Sequence, residues 1–302
     1  MDFEALLIDD GSTDESGRIA DTFAAEDSRF KVFHQRNGGV SAARNCGLSN
    51  CLCDWIMFVD GDDWLDRTAL ESVANHCSTE EAEIYQFGFR KVRASDVLWD
   101  CVSQAHLLSP CEFVHSASYF HPIFCYVFRR ECIGSIRFHM GLTHSEDQNF
   151  ELKCLSGASK VRTVPVVIYN YYERPGSAVH QAMRYPVAAC QLRAGLDFLQ
   201  FAVNHAVAPE FYCRPVLKLV WLFCDYLKTM PFGSYSLFKG WTEFCTCYKV
   251  MRRLSRVYAL KAGFQMTRFF FPLVMIYLRC SWIWSWKRGL LWRRLKRMRF
   301  WT

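Results

Sequence analysis

The sequence predicts an α/β fold: an open, mostly parallel sheet flanked by helices and followed by a C-terminal helical region. Three observations carry that prediction. Short apolar runs ending at turn residues alternate with amphipathic segments through the first 90 residues. Half of the 302 residues are apolar and 16% are aromatic, enough to bury a substantial core and too many for a disordered chain. Two acidic clusters close predicted strands, and the carboxyl ends of strands are where an open α/β sheet forms its ligand crevice.

The elements follow in order. The run ALLI (5–8) stops at a turn, as a buried parallel strand does. Ser12 and Glu15 fit a capping box, with Ile19, Ala20 and Phe23 on one helical face. FKVFHQ is the next strand, RNGG a turn, SAARNCGLSN a short helix, and DWIMFV (54–59) a further buried strand. Asp66 is placed to cap a helix running to about Asn75, and AEIYQFGF (82–89) is a strand. Residues 90–111 read as a loop or hairpin, CYVFRRECIGSIRF (125–138) as a strand entering a short helix, and KVRTVPVVIYNYYERPGS (160–177) as one or two strands and a turn. From Tyr185 the pattern is helical, which places a boundary near residues 180–186.

Charge is distributed unevenly. The chain carries +6 overall, yet Val250–Thr302 holds thirteen Lys and Arg with no acid, leaving about −7 on residues 1–249. An acidic body with a basic tail points to an anionic partner for the tail. Of the fifteen cysteines, the closest pairs are Cys51/Cys53 and Cys245/Cys247, and no C-x-x-C occurs, so paired zinc knuckles are excluded and free buried thiols are expected.

The acidic clusters are Asp9-Asp10 and Asp60-Gly61-Asp62-Asp63. Asp60 and Asp62 straddle a glycine that permits a tight turn, and hard oxygen donors at that spacing suit Mg²⁺ or Mn²⁺ with a bound diphosphate. A polar turn whose aspartates bond the local backbone is the competing reading. In SEDQNF (145–150), Glu146 and Asp147 also suit nothing more than a helix N-terminus, where acids complement the dipole. His139 and His144 flank this region and are read as loop residues.

Four blocks in order, IDDGSTDESGRIADTFAAEDSRFKVFHQRNGGVSAARNCGL, DWIMFVDGDDWL, RFHMGLTHSEDQNF and YNYYERPGSAV, resemble successive blocks of the family 2 glycosyltransferases, from about Asp2 to Val179. The resemblance implies a GT-A (Rossmann-like) fold and inverting transfer of a sugar from a nucleotide-sugar, usually a UDP-sugar, to a hydroxyl of a polysaccharide or lipid-linked glycan. It implies that Asp10 reads the nucleotide base, and that Asp60 and Asp62 hold a divalent cation, Mn²⁺ or Mg²⁺, with Asp62 favoured as the direct ligand and Asp63 either assisting it or only bracing the turn. Asp147 becomes the general base. Arg44 is expected to reach the donor or organise the metal loop, or else to pair with Asp10 or Asp60. Glu146 and Arg174 are candidate phosphate or acceptor contacts. The implied domains are a glycosyltransferase unit at 1–180 (1–124 nucleotide-binding, 125–180 acceptor and base) and a helical region at 181–302.

Family members carry a strand and helix ahead of the DFE segment, and that unit is not in this sequence, so the chain is expected to be an N-terminally truncated form. A catalytically inactive remnant acting as a membrane-associated binding protein is therefore the alternative function. A phospho-acceptor receiver domain also sets acid pairs at strand ends, but lacks the later Glu-Asp block and needs a much shorter chain. FFFPLVMIYLRCSWIWSW (269–286) holds Pro272 and Arg279, which disfavour a membrane span; Arg279 alone costs on the order of 3 kcal/mol there. In the tail, 264–302, Leu291, Leu295, Met298 and Trp301 share one helical face beside Arg293, Arg294, Lys296 and Arg297, a pattern for lying on anionic lipid, with packing on the protein core under a solvated basic face as the competing reading. The expected setting is cytoplasmic, peripheral on the inner face of the cell membrane, with no nucleic-acid partner.

Overall fold

The computed structural model describes residues 3–94, 96–174, 185–208 and 210–212. The basic tail and the proposed boundary at 180/181 lie outside the described residues, and among the described ones no helix is long and apolar enough to cross a membrane.

The described chain is an α/β structure of two sheets. The first is a parallel pair, β1 (Ala5–Asp9) and β2 (Phe30–His34), joined by α1 (Ser16–Glu26) and followed by α2 (Val40–Asn50). Its register sets Asp9 opposite His34, so the strand ends meet at the acidic cluster. The second sheet has seven strands in the order β3-β8-β5-β9-β4, with β6 added to β5 and β7 to β9. These are β3 (Trp55–Met57), β4 (Trp64–Leu65), β5 (Ile84–Arg93), β6 (Asp96–Cys101), β7 (His106–Leu108), β8 (Tyr126–Arg129) and β9 (Val161–Tyr172). The helices between them are α3 (Ala69–Cys77), α4 (Pro110–His115), α5 (Arg130–Ile133) and α6 (Glu146–Gly157); α7 (Tyr185–Asn204) follows β9.

The α/β class and the elements match expectation, but the sheet direction needs correcting. In the larger sheet only β5 and β9 run parallel, while β3/β8, β5/β8, β5/β6, β7/β9 and β4/β9 are antiparallel. The reason is connection length. Residues 90–111 include a hairpin, one of the two forms expected for them, and the short connection between β5 and β6 can only join antiparallel neighbours. The Ser12 capping box is also absent: α1 starts at Ser16, and Ser12 instead gives its N–H to Asp9 Oδ1 at 2.9 Å. Asp66 lies three residues ahead of α3 and accepts from Thr68, so it shapes the entry without capping it.

The dense core belongs to the second sheet. Tyr85, Phe87, Tyr126, Phe128, Phe150 and Tyr169 are almost wholly buried. Phe58, Phe138 and Phe150 meet behind the strand ends, with the Phe138 and Phe150 rings stacked at 4.0 Å and Phe58 edge-on to both. Among the described residues ten cysteines are free thiols, of which Cys77, Cys125, Cys154 and Cys190 are buried.

Candidate functional site

Asp10 lies one residue past β1 and is held by the turn after β2. Its Oδ1 accepts from Gln35 Nε2 at 2.7 Å and Gly38 N–H at 2.8 Å, and its Oδ2 from Gly39 N–H at 2.7 Å. Gly39 has φ +84°, which turns consecutive amides toward the carboxylate at little cost to glycine. Burial raises the Asp10 pKa, but these three donors outweigh it and hold the group below the usual carboxylate range. Asp10, Gly11, Ser12, Thr13, Asp14 and Asn37 line an open cleft. Gly11, at φ +77°, permits the turn, because a Cβ there would meet the Asn37 amide nitrogen at 2.9 Å.

The second group assembles from three distant segments. Arg44 on α2 donates from Nη2 to Asp60 Oδ1 at 2.9 Å and from Nη1 to Asp147 Oδ1, with Glu146 Oε1 at 3.6 Å from Nη1. The Arg44 side chain is only 10% exposed, Asp147 25% and Asp60 36%, so this triad sits half out of water. Of the two partners anticipated for Arg44, Asp60 is observed; Asp10 is instead satisfied by Gln35, Gly38 and Gly39. Asp147 stands in the first turn of α6, directly after Ser145 in the left-handed conformation. Burial pushes the Asp147 carboxyl up to about 7; Arg44 opposes the rise, while Glu146 and Asp60 reinforce it.

The Asp60–Asp63 turn is braced from β9. The Tyr169 hydroxyl donates to Asp63 Oδ2 at 2.7 Å and accepts from the Asp60 N–H at 3.1 Å, and the Tyr172 N–H donates to Asp63 Oδ1 at 2.7 Å. Burial raises the Asp63 pKa. Arg174 reaches Asp62, with Nε 3.0 Å from Oδ2, and Glu173 beside it is buried against Lys91 and Arg93. His139 lies 3.8 Å from Asp197, and His144 meets Thr143.

Asp60 and Asp62 stand two residues apart on one turn. Each engages an arginine through one oxygen and keeps a second oxygen outside that pair. Among the described residues no set of three or more His, Cys, Asp or Glu gathers to hold a metal. Two hard oxygen donors left outside the arginine pairs are of the kind that suits a divalent cation such as Mg²⁺ or Mn²⁺. Sequence reading missed Tyr169 and Asn45, although Asn45 lies in the same SAARN segment as Arg44.

The model for Glycosyl transferase family 2 matches residues 1–131. The uncharacterized glycosyltransferase EpsJ of Bacillus subtilis is 29% identical over 190 residues, covering 58% of this chain and 54% of that protein. The uncharacterized glycosyltransferase YibD of Escherichia coli is 24% identical over 283 residues, covering 87% of this chain and 81% of that protein. The chain spans about half the length of the two Bacillus subtilis relatives it matches, EpsJ and EpsH, at 54% and 52%. Among solved structures, S. aureus TarS 1–349 in complex with UDP-GlcNAc superposes with a TM-score of 0.62 at 17% identity, covering 84% of this chain and 73% of that one. That likeness shows that this chain shares the fold of that structure, the GT-A fold expected from the sequence.

Proposed function

We propose that this chain is a family 2 glycosyltransferase that transfers a sugar with inversion from a UDP-sugar to a hydroxyl of a polysaccharide or lipid-linked glycan. The observation that supports this most is the meeting of Asp60 and Asp147 on Arg44, which brings a diphosphate-side carboxylate and a carboxylate of raised pKa to one place. TarS was crystallised with UDP-GlcNAc and with UDP, which supports a uridine nucleotide as donor here.

In this reading Asp10, fixed by three donors, presents its carboxylate edge to the base of the nucleotide in the cleft beside it. Asp60 and Asp62 hold a divalent cation, which when bound offsets the negative charge of the diphosphate leaving group. Arg44 keeps Asp60 and Asp147 at a fixed separation and offsets their mutual repulsion. Asp147 accepts the proton of the acceptor hydroxyl as that oxygen bonds to the anomeric carbon, while the bond from carbon to the diphosphate oxygen breaks and the nucleoside diphosphate departs. A carboxyl titrating near neutrality is well matched to that proton transfer. Arg174 is placed to exchange its Asp62 partner for a donor phosphate. The basic tail, 264–302, is read as binding anionic lipid on the cytoplasmic face of the cell membrane, which would hold the enzyme near a lipid-linked acceptor.

The test is UDP release by the full chain from a panel of UDP-sugars with Mn²⁺. Turnover that is lost in Asp147→Asn and lost on chelation is the expected result. Turnover unchanged by Asp147→Asn, or no turnover on any sugar together with no binding of UDP, overturns the reading.

A further inference from the structure

Arg44 lies on α2, which packs chiefly on β1, whereas its partner Asp147 opens α6, 103 residues later in the chain. Their meeting depends on whatever fixes α2 against the segment that leads into α6. The residue after Arg44 makes that connection. The Asn45 carboxamide donates from Nδ2 to the Phe138 carbonyl at 2.9 Å and accepts the Phe138 N–H on Oδ1 at 2.8 Å. One amide side chain that satisfies both polar groups of a single residue fixes that residue's position and its rotation, as a neighbouring strand would.

Phe138 passes the constraint on. Its ring stacks on Phe150 at 4.0 Å with an interplanar angle of 3°, and meets Phe58 edge-on at 5.3 Å. Phe150 is on the first turn after Asp147, and Phe58 lies two residues before Asp60. The Arg44 guanidinium itself lies over the Phe138 ring, 5.3 Å from its centre. Phe138 therefore touches Arg44 and one near neighbour of each of its two carboxylate partners. Between Phe138 and α6 the chain passes through Ser145 in a left-handed conformation, which persists only where the surroundings hold it.

From this geometry we infer that Asn45, acting through Phe138, is a positioning residue that sets the separation of Arg44, Asp60 and Asp147. The inference rests on reading those three residues as the reaction centre. Asn45 touches neither Asp60 nor Asp147; its effect is on where they stand.

The experiment uses the full chain with two readouts, amide hydrogen exchange and UDP release from UDP-GlcNAc with Mn²⁺. Asn45→Ala removes both hydrogen bonds, and Asn45→Asp keeps the acceptor for the Phe138 N–H. Asn50→Ala, at the exposed end of the same helix, controls for general damage to α2. Asn45→Ala should speed exchange across residues 138–147 by at least about tenfold while residues 30–34 stay as in the parent. It should lower kcat by at least about tenfold with the donor KM within about twofold, because misplaced groups cost turnover rather than ground-state binding. Asn45→Asp should fall between. If exchange in 138–147 is unchanged in Asn45→Ala, or kcat drops no further than in Asn50→Ala, the inference is wrong. If the parent chain releases no UDP from UDP-GlcNAc, the exchange result alone decides whether Asn45 holds the segment.

Discussion

The segment from Phe3 to Asn50 and the segment from Trp55 to Tyr172 are held together by different forces. In the first, only Ser41 and Leu48 are buried, whereas the second contains nearly all the fully buried rings. What the first segment has instead is carboxylates bound to backbone. Glu4 accepts from the Leu52 and Cys53 amides, Asp9 from Ser12, and Asp10 from Gly38 and Gly39. Packing is non-directional and tolerates small shifts, while a carboxylate with three donors fixes one orientation. The comparison teaches that a ligand-facing edge can be specified by polar wiring while the scaffold behind it is specified by volume. Arg44 is where the two meet, since it belongs to the wired segment and reaches both Asp60 and Asp147 of the packed one.

The seam should be the most sensitive point. Asp147→Asn keeps the shape but cannot accept a proton, and should lower turnover by about 10²–10⁴-fold, the usual worth of a general base. The parent's kcat/KM should climb with pH through about 7, the value to which burial drives Asp147, and this limb should vanish in the variant. Stability has the opposite sign. A folded-state pKa above the ordinary value of 3.8 means that ionising Asp147 opposes folding, so its effect is to lower stability as pH rises from about 4 to about 7. A pH–rate profile and a denaturation series on the same two proteins check both signs.

Next in size, the two segments should break differently. Phe150→Ala empties a stacked, fully buried site and should cost about 3–5 kcal/mol by chemical denaturation. Asp10→Ala leaves the Gln35, Gly38 and Gly39 donors without their acceptor in a partly exposed place and should cost about 1–3 kcal/mol. The smaller loss should carry the larger effect on UDP affinity, measured by calorimetry. A variant order reversed in both quantities would show that packing, not polar wiring, shapes the nucleotide edge.

Legibility in the sequence followed the same division. Elements whose signal is local were readable: the strand before Asp9, the helix after RNGG, and the acids opening α6 all stand where their patterns put them. Strand direction in the larger sheet was not: the reading of 90–111 as a loop or hairpin left open whether those residues pair with β5, and nothing local to β8 shows that it runs antiparallel to β5. The joining of Arg44 to Asp147 spans 103 residues and follows no periodicity; only the resemblance placed both near the donor. Asn45 escaped for a further reason: its partner is the main chain of Phe138, and main-chain partners leave no trace in residue type.

His34 sharpens the comparison by the smallest effect. Its Nδ1 lies 2.8 Å from Asp9 Oδ2 and its Nε2 3.1 Å from Asp21 Oδ1, so the imidazolium links β1, β2 and α1. The hydrogen bond to Asp9, then that to Asp21, raises the His34 pKa above its ordinary 6.5. A raised pKa means the folded state holds the proton more tightly, so the contribution is complete below 6.5 and is lost as pH rises through the folded value. Asp9 works at the other end of the range: Ser12 first, then His34, holds it at about 2, and its contribution is present above the ordinary carboxylate value and lost as pH falls toward 2. Between these limits the three charges are in place directly behind Asp10. The denaturation midpoint should therefore drop slightly above pH 6.5, and His34→Gln should flatten that drop while Phe150→Ala leaves its slope alone. An identical slope in His34→Gln and parent would show that exposure and solvent screening cancel the triad, leaving Asp10 supported by Gln35, Gly38 and Gly39 without help from the strand end behind it.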